Sequence, residues 1–275
     1  MRSIALGLSA SLTWGFADFF GPLKARTLGV LRVLVYVQLG GLVAIALIVA
    51  IRWNGPGGLD ALFAIPAAIS GTLGFYAYYR GMAVGAMSIV APIAGISAAV
   101  PVIFGIATGD RPSLWQWLGI AAALGGVFLA SREPDRGGKV AAGVGLALLA
   151  AIGFGGYFPP MHAAGNADFW WASLFFRMTS TSIILAAVAI RRPSLAVAPI
   201  QVPLLALIGI GDMLGNLLFA AASTSGLVSI TSVLASLYPI VTVLLARLVL
   251  GERVARSQEA GIALTLAGVA LISAG

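Results

Sequence analysis

The 275-residue chain contains no cysteine, a single histidine and few charges. Without cysteine it has no disulfide framework, no thiolate metal site and no redox thiol. His162 alone makes no imidazole cluster, so neither a metal nor another cofactor is expected. Charged residues make up 9% of the chain, against roughly 25% in a soluble domain. A surface so short of charge must mostly face something other than water. No Gly-x-x-x-x-Gly-Lys-Ser/Thr phosphate loop occurs, so ATP drive would need a separate subunit. The net charge of +7 does not imply nucleic acid, because the basic residues sit in short loops between apolar runs. Such loops suit anionic lipid headgroups.

What is present is overwhelmingly apolar: 60% hydrophobic residues and a mean hydropathy of +1.03. A bilayer core of ~30 Å takes about 20 helical residues. Apolar runs of that size lie near 3–21, 30–51, 61–80, 86–108, 114–131, 140–161, 169–190, 199–222, 226–250 and 257–274. They predict an all-α membrane protein of ten transmembrane helices. The first run reads as a span and not a cleaved leader, because no A-x-A-like site follows and the run ends at Gly21-Pro22. Arg2, Arg52 and Arg111 fall on one side of the ten spans, Arg177 falls inside one, and the other twelve Lys and Arg fall opposite. That bias puts the odd-numbered connections in the cytoplasm and both termini outside an inner membrane. The expected partners are the bilayer and a small solute, without nucleic acid, for a monomeric chain.

The halves repeat. Gly7-Leu8 through Gly15-Phe16 to Pro22 lies on Gly145-Leu146 through Gly153-Phe154 to Pro160 without a gap. Gly109-Asp110-Arg111, Gln116, Gly119 and Gly126 lie on Gly251-Glu252-Arg253, Gln258, Gly261 and Gly268, again without a gap. Gly74, Gly85 and Ser88 fall on Gly215, Gly226 and Ser229. The longest connection, Arg132 to Lys139, divides the chain into repeats over 1–133 and 138–275. An odd number of spans per unit inverts the second half in the membrane. Inverted repeats around a midplane site are the architecture of alternating-access carriers; a duplicated scaffold is the plainer alternative.

The residues just named carry a resemblance. Leu250-Gly251-Glu252, Gln258, Gly261, Trp14-Gly15, and an arginine near the second span of each half (Arg32, Arg177) resemble EamA domains. Those belong to the drug/metabolite transporter superfamily. The resemblance covers nearly the whole chain and implies a carrier whose fifth and tenth helices pack outside a central cavity. The aromatic residues at candidate cavity positions look like those of YddG-type exporters of aromatic and other neutral amino acids.

Polar residues inside the spans are the candidates for function. Ser11, Trp14 and Asp18 share one face of span one. An intramembrane carboxylate is a functional candidate by default, and an ion pair with Lys24 or Arg32 is the structural alternative for Asp18. Asp212 and Asn216 share a face of span eight, and Arg177 in span seven lies at a depth similar to that of Asp212. The two are expected either to pair or to meet substrate charge or a proton. Tyr78 interrupts a glycine stripe in span three and needs room that a cavity supplies. Trp14, Tyr78 and Tyr238 are therefore expected to line an aromatic pocket with Ser97, Asn216 and Ser236. Asp18, Asp212, Arg177 and His162 are the candidates for coupling or gating, His162 as an outer-surface residue ending span six. Pro101 and Pro239, in comparable places of the two halves, are candidate helix breaks. The leading expectation is an exporter of small amphipathic metabolites, neutral or aromatic amino acids first. A multidrug exporter of lipophilic cations comes second, favoured by a midplane carboxylate without a matching cation. An intramembrane lipid enzyme is disfavoured, since no cluster of titratable groups is present.

Overall fold

The computed structural model describes residues 2–84, 94, 97, 99–131, 144–250 and 256–274. All regular structure among the described residues is helical. The long helices are α1 (Arg2–Leu28), α2 (Val30–Arg52), α3 (Ala64–Val84), α4 (Ala99–Ala107) and α5 (Leu114–Ser131) in the first half. In the second half are α6 (Val144–Arg191), α7 (Val202–Ser223), α8 (Val228–Ala235), α9 (Tyr238–Leu250) and α10 (Arg256–Ala274). Leu12, Val43, Leu73, Ile152, Leu207 and Leu266 all point outward. Water would penalise such a surface; lipid does not. The buried charged side chains among the described residues are Asp18, Arg177 and Asp212.

α6 is two spans. Drawn straight it would run about 70 Å, over twice the bilayer core. It turns at Asp168, whose backbone leaves the helical region (φ −163, ψ 113). Oδ1 of Asp168 accepts the backbone N–H groups of Trp170 at 2.8 Å and Trp171 at 3.0 Å, capping a new helix. The rings of Tyr157 and Phe176 consequently lie 5.3 Å apart, where a straight helix would separate them by about 28 Å. The arms 144–167 and 169–191 are therefore antiparallel neighbours. Five helices among the described residues, α6 included, are long and apolar enough to cross a membrane, and three shorter apolar ones accompany them. With α6 counted twice, the arrangement is compatible with ten spans.

Helices of one half pack mainly on helices of the other. α3 lies along α6, α1 along α7, α5 along α10, and α2 against both α6 and α7. Glycines set the close approaches. A Cβ on Gly153 would meet the Gly74 backbone, and one on Gly209 would meet the carbonyl of Val37. The α5–α10 seam is reciprocal: Gly119 abuts the Gly268 carbonyl and Gly268 the Gly119 carbonyl, each at 2.7 Å from an added Cβ, while Gly126 abuts Gly261. The sequence repeat exchanges Gly119 with Gly261 and Gly126 with Gly268. The seam therefore maps onto itself, as a two-fold relation between inverted halves requires.

Three expectations need correction. α1 does not stop at Pro22 but runs to Leu28; Pro22 merely withholds the helical N–H from the carbonyl of Asp18. Span nine is not continuous. It breaks at Ser236-Leu237 into α8 and α9, because Pro239 offers no donor to the Ala235 carbonyl. The Ser236 N–H there is shared between the carbonyls of Ser232 and Val233. His162 does not end span six, since α6 runs helically past it to the turn at Asp168 and His162 is only partly exposed. The first part of span four, the 132–139 connection and the Gly251-Glu252-Arg253 motif lie outside the described residues.

Candidate functional site

A pocket lies between the halves, with an empty volume of about 450 Å³ that includes its open mouth. Its walls are aromatic. Trp14 of α1 stands edge-on to Tyr157 (5.9 Å), Phe158 (6.2 Å) and Tyr238 (6.4 Å). Gly215 of α7 leaves room for the indole, since a Cβ there would collide with it. Phe75 and Phe154 close another side, 5.4 Å apart, and Phe176 stacks edgewise on Tyr157. Among the described lining residues the polar side chains are Asp18, Ser97 and Asn216, and Tyr157 and Tyr238 add hydroxyls to the aromatic walls. Asn216 is oriented by its own helix, donating Nδ2 to the Asp212 carbonyl at 2.9 Å.

Behind the pocket lies a separate ionic centre. Arg177, in the second arm of α6, donates Nη2 to Asp212 Oδ2 and Nη1 to Gln38 Oε1, both at 2.7 Å. Ser180 Oγ donates to the same Gln38 oxygen at 3.0 Å. The guanidinium fits because position 41 is glycine; a Cβ there would stand 3.1 Å from Nε. None of these side chains faces the pocket. Arg177 is 1% exposed, so the group is held by protein atoms on every side.

Of the residues singled out in the sequence, Trp14, Asp18, Ser97, Asn216 and Tyr238 come together around the pocket. Tyr78 does not. It packs one layer back, 5.7 Å from Phe154 and 6.5 Å from Tyr79. Ser236 is buried at the break between α8 and α9. Asp212 and Arg177 pair with each other. His162 lies near the Asp168 end of the molecule with Asn166 Nδ2 3.4 Å from Nε2. Asp18 forms no ion pair with Lys24 or Arg32, because Lys24 lies 240° round the helix from it and Arg32 Nε donates to the Ser194 carbonyl at 2.7 Å. Sequence reasoning missed Tyr157, Phe158, Phe154 and Phe176, although the first three fall within the repeated Gly-Phe segment of span six. It also missed Gln38, whose signal was being the one amide in an otherwise apolar span. No group of three or more His, Cys, Asp or Glu converges among the described residues.

A family model described as "EamA-like transporter family" matches residues 1–132 and again 141–274. Among solved structures 27 chains match. One crystal structure superposes with a TM-score of 0.77 at 15% identity, covering 98% of this chain and 95% of that one. At that identity the likeness speaks for the fold alone. No curated protein matches the chain.

Proposed function

The chain belongs to the EamA-like transporter family, and from that premise we propose that it is a secondary carrier of the inner membrane. On this reading it exports small amphipathic metabolites, neutral and aromatic amino acids first among them, by alternating access. The observation that carries the reading is the aromatic pocket itself. It lies between two halves that pack as inverted copies, and it offers one carboxylate and one amide inside apolar walls. Such a lining suits a solute with an aromatic or aliphatic body and a small polar head. The broken span nine supports the same reading, since interrupted helices let two halves hinge around a fixed site.

The test is solute flux in proteoliposomes, with a panel of amino acids and cationic dyes, with and without a pH gradient. Saturable flux of an aromatic solute, lost in Trp14→Ala while the purified variant keeps its thermal midpoint, is the expected result. A protein that moves no member of the panel in either direction would overturn the carrier reading.

A second reading, export of lipophilic cations, needs a buried carboxylate without a matching cation. Asp212 does not qualify, because Arg177 holds it. Asp18 does meet the requirement among the described residues.

A further inference from the structure

We propose that Asp18 is the counter-ion for an organic ammonium group, so that the pocket selects amines with an aromatic body and does not require a carboxylate on the cargo. This rests on the carrier reading and, within it, places cationic amines ahead of amino acids as the cargo.

Asp18 is 6% exposed and lines the pocket. Its Oδ1 has no hydrogen-bond partner. Among the described residues, no lysine, arginine or histidine lines the pocket. A buried charge without a partner is costly, and proteins keep one where a ligand or metal completes it. A metal fits poorly here. The second carboxylate that a hard cation would want is Asp212, and it is committed to Arg177. The remaining walls favour an organic cation: the rings of Trp14, Tyr157, Tyr238, Phe75 and Phe158 line the same space, and aromatic rings attract ammonium groups.

The converse holds for a carboxylate on the cargo. Arg177 is the buried cation of the bundle, and its two terminal nitrogens are bonded to Asp212 and Gln38. Its Nε packs against Gly41, and Arg177 is not among the residues that line the pocket. A zwitterion entering beside Asp18 therefore gains an ion pair at its ammonium end and must bury its carboxylate without one. The same apolar body carried on a simple amine avoids that cost.

The experiment compares three probes with one phenyl body: phenethylamine, phenylalanine and 3-phenylpropionate. Binding to detergent-purified protein is measured by calorimetry, and flux by proteoliposome counterflow. We expect phenethylamine to bind about tenfold or more tighter than phenylalanine, and 3-phenylpropionate not to compete. Asp18→Asn should lose that preference with its thermal midpoint retained, and Asp18→Glu should restore part of it. The probe ranking on the unaltered protein decides the question even where Asp18→Asn does not fold. Phenylalanine binding as tightly as the amine, no binding of any probe, or an Asp18→Asn protein that still prefers the amine would each overturn the proposal. Asp18-dependent amine binding without flux would keep the ammonium site and remove the carrier reading, so the two fail separately.

Discussion

Arg177 is sealed inside the bundle, with Asp212 and Gln38 taking its terminal nitrogens and glycine at position 41 making the space. A buried pair of this kind is badly hurt by removing one member, because the other is left as an uncompensated charge. Arg177→Met or Asp212→Leu alone is expected to cost about 3–5 kcal/mol. The double replacement should recover most of it. Thermal unfolding of the detergent-purified variants checks both statements. Because neither side chain lines the pocket, the double variant should also bind solute as the parent does. Loss of binding there would give the pair a direct part in recognition. Gly41→Ala belongs with these. Its Cβ would stand 2.7 Å from the Gly209 carbonyl and 3.1 Å from Arg177 Nε, so overpacking should destabilise by about 1–3 kcal/mol.

Among the helices, the α8 N-terminus shows how the halves are tied. Asp110, in the connection between α4 and α5, accepts the Ser229 backbone N–H at 2.8 Å and its hydroxyl at 2.6 Å. A residue of the first half thus caps a helix of the second. Asp110→Ala should cost about 0.5–2 kcal/mol, the range for a lost cap, and Asp110→Asn less, read from the same unfolding midpoints. Hydropathy and the sequence repeat made an all-helical chain of two related halves readable in advance, because apolar run length acts locally. Spacing on one helix likewise brought out Trp14 with Asp18 and Asp212 with Asn216. What it could not supply was which neighbour each face meets. Tyr78 has the periodicity of a pocket residue, yet Phe154 from another helix stands in front of it. The Asp168 cap was hidden for a different reason: the run 140–190 reads as two spans and a loop, whereas helix continues on both sides of a single turned residue.

Five of the six tryptophans mark one end of the whole molecule. Trp53, Trp115 and Trp117 are exposed there, Trp170 lies under Arg52 at 4.6 Å, and Trp171 Nε1 donates to the Asn54 carbonyl at 2.7 Å. Indoles favour the membrane–water boundary. The opposite end carries Lys24, Arg32, Arg191 and Arg192, so the charge bias predicts that the tryptophan end faces outside. The absence of cysteine makes this directly testable. A membrane-impermeant maleimide should label Asn54→Cys in intact cells and Ala196→Cys only after permeabilisation; the reverse pattern would invert the assignment. The Arg177 centre also carries a history in time. Synthesis runs from the N-terminus, so Gln38 is in place 139 residues before Arg177, and Asp212 follows 35 residues after it. An arginine at the middle of a lone span costs about 2.5–3.5 kcal/mol on insertion. In that order of synthesis Gln38 is the partner available to Arg177 before Asp212 has been made.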